Sequence, residues 1–148
     1  MNKEFIPYEQ ALELKELGFN EECIAYYHTD IEKNKVGFDA RKKLEINSYS
    51  ESFDEKDFVT NKDEWDYYIT APLYQQAFRW FREKYGLFSA VNVDQTMEPK
   101  FAYCISKYWT DALSWGWDTI VFNSDLHYTY EDAELACLKN LIEIIKNK

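Results

Sequence analysis

The chain has 148 residues, enough for one domain with a substantial core, and its 46% hydrophobic content excludes disorder on composition. Four Gly and three Pro exclude collagen-like or low-complexity sequence and speak against a turn-dense β-sandwich. The 27 acidic against 17 basic residues give a net charge of −10, which repels phosphate backbones and anionic membranes; direct nucleic-acid binding and membrane association are therefore not expected, and a basic protein partner or plain solubility are.

The first helix is predicted from near Pro7 to just before Gly18, because Pro suits a helix start and Gly the position past its end. Ala11, Leu14 and Leu17 recur at spacings of three, and Leu12 broadens that face. Glu22–His28 is rich in aromatic and β-branched residues and predicts a strand. Residues 30–63 form a polar excursion in which Leu44 and Ile46 alternate with polar residues, as in one edge strand. Trp65–Thr70 predicts a short strand leading into a helix over Ala71–Tyr85, capped by Thr70 and stopped by Gly86. Leu73, Ala77, Trp80 and Phe81 share a broad face of that helix, extended by Tyr74, Phe78 and Tyr85, so it is expected to be central and covered on several sides.

Leu87–Val93 and Phe101–Trp109 predict a hairpin joined by a loop containing Pro99. Thr119–Phe122 predicts a third strand, preceded by a turn at Ser114–Asp118. The last helix opens on a capping box, Thr129 with Asp132, carries acids in its first turns and Lys146 and Lys148 at its end. Its buried stripe is Leu135, Leu138, Leu141, Ile142 and Ile145. No repeat or linker interrupts residues 1–148, so a single domain is expected. The order of elements predicts an α+β fold: a mostly antiparallel sheet of about four to five strands with three helices packed on it.

Chemistry-bearing patterns are scarce. The two histidines, His28 and His127, and the three cysteines, Cys23, Cys104 and Cys137, lack the close spacing of zinc ligands, so no metal is expected. The odd, widely spaced cysteines are no disulfide framework and predict reduced thiols in a cytoplasmic setting. No Gly-rich phosphate loop or nucleophile elbow occurs, so no cofactor and no catalytic residue is assigned. The acidic runs Glu51–Asp57 and Asp63–Asp66 lack the central Gly of a calcium loop. No apolar run approaches the ~18 residues of a membrane span.

Aromatic residues are the anomaly: 12 Tyr, 10 Phe and five Trp make up 18% of the chain. They serve either a core filled with large rings or a ring-lined recognition surface. Trp115 and Trp117 flank Gly116 and are candidate surface contacts, the alternative being rings folded back onto the core. Arg79 and Arg82, three apart on the central helix, are the other candidates; they suit either an internal ion pair or a carboxylate or phosphate group on a partner.

The segments Ala11–Phe19, Leu73–Leu87 and Glu134–Lys146, which cover most of the helical framework, resemble a family of small proteins of unknown function associated with Bacteroidetes and their phages or prophages. The resemblance implies a phage-linked setting and brings no activity, cofactor or site residue. The expected function is a non-enzymatic intracellular interaction protein that binds another protein, its oligomeric state left open. The alternative is an enzyme or small-ligand binder without a linear motif, drawing on Tyr27, His28, Arg79, Arg82 and Tyr103.

Overall fold

The computed structural model describes residues 2–28, 43–46, 60–61, 68–94, 100–122 and 126–148. Within them the order is a 3-10 turn (Asn2–Glu4), α1 (Tyr8–Glu16), β1 (Ala25–His28), β2 (Lys43–Ile46), β3 (Tyr68–Thr70), α2 (Tyr74–Tyr85), β4 (Leu87–Asp94), β5 (Lys100–Thr110), β6 (Trp115–Phe122) and α3 (Tyr130–Lys146). The class is α+β, with three α-helices. The single sheet expected from the sequence is replaced by two antiparallel sheets of three strands each, ordered β2-β1-β3 and β4-β5-β6. The chain divides into two compact units, Met1–Leu73 and Tyr74–Lys148, each holding one sheet. Most of the polar excursion, including both acidic runs, lies outside the described residues.

In the first unit, Pro7 occupies the N-cap position of α1, and Gly18, at φ 84, turns the chain out of the helix. A positive φ costs glycine no steric penalty, which explains the residue at that point. Ala11 and Leu14 are buried, whereas Leu12 is at the surface. β1 is the central strand, with Leu44 and Ile46 on the edge strand β2 opposite Tyr27 and Ala25. Thr70 does not cap a helix: it ends β3 opposite Tyr26, and the next residues continue in extended pairing. The amide of Ala71 donates to the carbonyl of Ala25, and that of Ile6 to Pro72. Extended backbone before and at a proline explains why the helix starts later than its sequence pattern suggests. Asn61 ties this layer together, donating to the carbonyl of Phe19 (2.9 Å) and accepting from the amide of Thr70 (3.2 Å).

In the second unit, α2 buries Tyr74, Ala77, Trp80 and Phe81 and exposes Gln75, Arg79, Arg82, Glu83 and Lys84. Gly86, at φ 67, turns it into β4. Thr129 caps α3 by accepting from the amide of Asp132 (3.1 Å), as its sequence predicts. The buried face of α3 is Ala133, Cys137, Leu138, Leu141 and Ile142. It packs on the sheet face that carries Tyr103 and Ile105, where Asn140 donates to the buried hydroxyl of Tyr103.

Candidate functional site

Strand register decides which side chains share a face, since directly opposed residues in an antiparallel pair point the same way. Leu87, Ser89, Tyr103, Ile105, Lys107, Trp109, Gly116 and Asp118 lie on the α3-facing side of the second sheet. Phe88, Ala90, Cys104, Ser106, Tyr108, Thr110, Trp115, Trp117 and Thr119 lie on the other. β5 is longer than its partner β4: the β4 ladder ends at Leu87 opposite Lys107, and residues 108–110 pair with β6 alone. The β5–β6 hairpin therefore overhangs the sheet as a two-stranded ribbon.

The ribbon is stiffened at three places. At its tip the Asp111 carboxylate accepts from the amides of Leu113 (2.8 Å) and Ser114 (2.7 Å) and from the Ser114 hydroxyl (2.8 Å). Those bonds, the Leu113 amide first, hold its pKa below the ordinary carboxylate range. On the α3-facing side the indole of Trp109 lies across Gly116, where a Cβ would stand 2.8 Å from Cζ2. The indole N–H donates to Asp118 (3.2 Å). On the other side Trp117 meets Phe88 and Tyr108 edge to face, at centroid distances of 4.8 and 5.2 Å.

On this frame stand large apolar side chains in contact with solvent. Leu113 at the tip is 98% exposed, Trp115 71%, Trp117 52% and Tyr108 41%. The two tryptophans singled out from the sequence are thus brought together on one face of one rigid ribbon. The segment expected to be a turn is strand from Trp115 onward, and its rings do not fold back onto the core. The turn sits earlier, at Asp111–Ser114, and Leu113 is the residue that sequence reading missed; Asp111 with Ser114 three residues on, a side chain able to bond its own turn, was the available signal.

Arg79 and Arg82 are both exposed on α2. The remaining candidates do not assemble into a reactive group. Tyr27 is buried, donates to the carbonyl of Ile6 (2.7 Å) and has its phenol pushed up to about 12 by burial and by Glu9. The side chain of His28 is outside the described residues. In the second unit the Tyr103 hydroxyl is engaged under α3, away from the solvent-facing arginines. Cys137 lies in the same core, its thiol raised to about 12 chiefly by burial, which disfavours the nucleophilic thiolate. None of the three cysteines forms a disulfide. Among the described residues no group of three His, Cys, Asp or Glu side chains is placed to hold a metal, and no helix is long and apolar enough to cross a membrane.

Comparison with known proteins finds no matching family model, no similar curated protein and no similar solved structure.

Proposed function

We propose that the chain is a non-enzymatic interaction protein, acting inside the cell in a phage-linked setting, and that the overhanging β5–β6 ribbon takes its protein partner. The phage link rests on the resemblance of the helical segments alone. The ribbon carries the rest of the argument: Trp115 and Leu113 are large, apolar, solvent-facing and mounted on a braced scaffold. Exposing such side chains has a cost in water that a binding event recovers, and tryptophan and tyrosine are the residues that dominate protein contacts. A braced ribbon also loses little conformational entropy on docking.

A photo-crosslinking amino acid placed at Leu113 tests this in the living host. Strong protein adducts are expected there, and few from the same group at Lys139, an exposed position on α3. Equal labelling at both positions, or none at Leu113, would remove the ribbon from consideration.

A further inference from the structure

We propose that the part of the partner seated on the ribbon is a proline-rich segment in the polyproline II conformation, held on Tyr108, Trp115 and Trp117; the inference rests on the reading of the ribbon as a protein contact. Three properties of the ring-bearing face select this occupant: its size, its charge and its hydrogen-bonding groups.

The size points to a short segment. Taking roughly 200 Å² for a large ring, the exposed parts of Tyr108, Trp115 and Trp117 come to on the order of 300 Å². A standard interface between folded proteins takes about 800 Å² from each partner. A peptide that arrives already ordered loses less entropy on docking and can be held by less area, and polyproline II is such a preordered chain. The charge excludes ionic recognition. Tyr108, Thr110, Trp115, Trp117 and Thr119, the ribbon's residues on that face, carry none. The net charge of −10 resides elsewhere on the chain, so a basic or acidic segment finds no counter-charge on the face.

The hydrogen-bonding groups complete the match. An indole N–H can only donate. Among the described residues neither Trp115 nor Trp117 has an acceptor for it, whereas Trp109, on the opposite face, gives its N–H to Asp118. Trp115 also meets no other ring among the described residues, while Trp117 is held by Phe88 and Tyr108. A proline run is the inverse of this face: its prolines have no backbone N–H, and its carbonyls, free of internal bonds, are left to accept. Its pyrrolidine rings are apolar and dock on aromatic side chains. The spacing agrees as well. Trp115 and Trp117 are two residues apart on β6, a step of about 7 Å in a strand. Two residues of polyproline II advance about 6 Å, so the two tryptophans meet alternate residues of the segment.

Titration of the isotope-labelled full chain with decaproline tests this through the indole N–H signals of its five tryptophans. The Trp115 and Trp117 signals should move saturably, with a dissociation constant between about 10 µM and about 1 mM. Trp80, buried on α2, should stay in place. Trp115→Ala should weaken binding about tenfold or more, and Lys139→Glu should leave it unchanged. A Gly-Ser peptide of equal length, which is flexible and keeps its N–H donors, should move nothing. The proposal is overturned by the absence of saturable movement up to about 5 mM decaproline. Wild-type affinity in a folded Trp115→Ala chain, or an equal response to the Gly-Ser peptide, overturns it as well. Indole signals that move on diluting the chain alone would place a second copy on the face and also overturn it. Crosslinks from Leu113 to another protein would in any of these cases leave the ribbon as a protein contact with a different occupant; their absence would remove that reading too.

Discussion

β5 passes through two environments. In its first half Tyr103 and Ile105 are buried beneath α3; in its second half Tyr108 and Trp109 stand in solvent. The residue types barely change along the strand, so ring content does not decide burial. What decides it is whether another element lies above. Under α3 the phenol of Tyr103 is matched by Asn140, as a buried hydroxyl requires. Beyond Lys107, where β4 stops, the rings have only one another, and they settle edge to face. One strand thus serves as core at one end and as presented surface at the other.

Truncation at each end separates the two roles most sharply. Leu138 is fully buried on α3, and Leu138→Ala should cost about 2–5 kcal/mol, as large-to-small core changes do. Trp115→Ala, measured in dilute solution, should fall within about 0.5 kcal/mol of wild type, because it removes surface and opens no cavity. Denaturant midpoints report both. Equal losses would mean that the ribbon belongs to the core after all.

The ribbon's stiffness can be broken without touching its exposed rings. Gly116→Ala drives a methyl group against the Trp109 indole and should cost about 1–3 kcal/mol, the range for overpacking. In a Trp109→Ala background the same change should be nearly neutral, and a double-mutant cycle measures the difference. Additive costs would show that Gly116 answers to something other than the indole above it.

How far could this have been read from the sequence? Features set by a few neighbouring residues were legible. Thr129 and Asp132 announce the start of α3, Gly18 and Gly86 the turns after α1 and α2, and the alternation of Leu44 and Ile46 the edge strand β2. Features set by distant packing were not. Thr70 satisfies the local rule for a helix cap, yet pairing with β1 holds it and the following residues extended. The division into two sheets and the exposure of Trp115 depend on which strands meet and where they end, and no spacing encodes that. Trp115 and Trp117 were candidates from the start, but only register and strand length place them on one uncovered face.

Alkaline pH probes the covered end. Burial raises the folded-state pKa of Cys137 from 9.0 to about 12, so the unfolded chain gives up its thiol proton first. A raised value stabilises the fold fully below the unfolded constant, and the contribution drains away as pH climbs from there to the folded one. Stability should therefore decline from about pH 9 upward, Cys137 accounting for about 1 kcal/mol by pH 10. Tyr27, raised from 10.0 to about 12, adds a later loss in the first unit. In Cys137→Ala the decline between pH 9 and 10 should be shallower; an unchanged slope would assign it to other groups.

The smallest effect belongs to the tip, where acid is the probe. Asp111 is lowered, not raised, because its ionised carboxylate accepts the amides of Leu113 and Ser114 and the Ser114 hydroxyl. The sign is opposite to that of Cys137: its contribution is present above the ordinary carboxylate range and is lost as pH falls through the depressed folded value. Because the group is solvent-exposed, the change stays local. It should appear as downfield-to-upfield movement and faster exchange of the Leu113 and Ser114 amides on acidification, with the Leu138 and Leu141 amides of α3 unaffected over the same range. Asp111→Ala should show the acid-like amide signature already at neutral pH. If the tip amides stay put in that variant, the turn is held by the backbone bond from Asp111 to Ser114 alone, and the presentation of Leu113 and Trp115 owes nothing to the carboxylate.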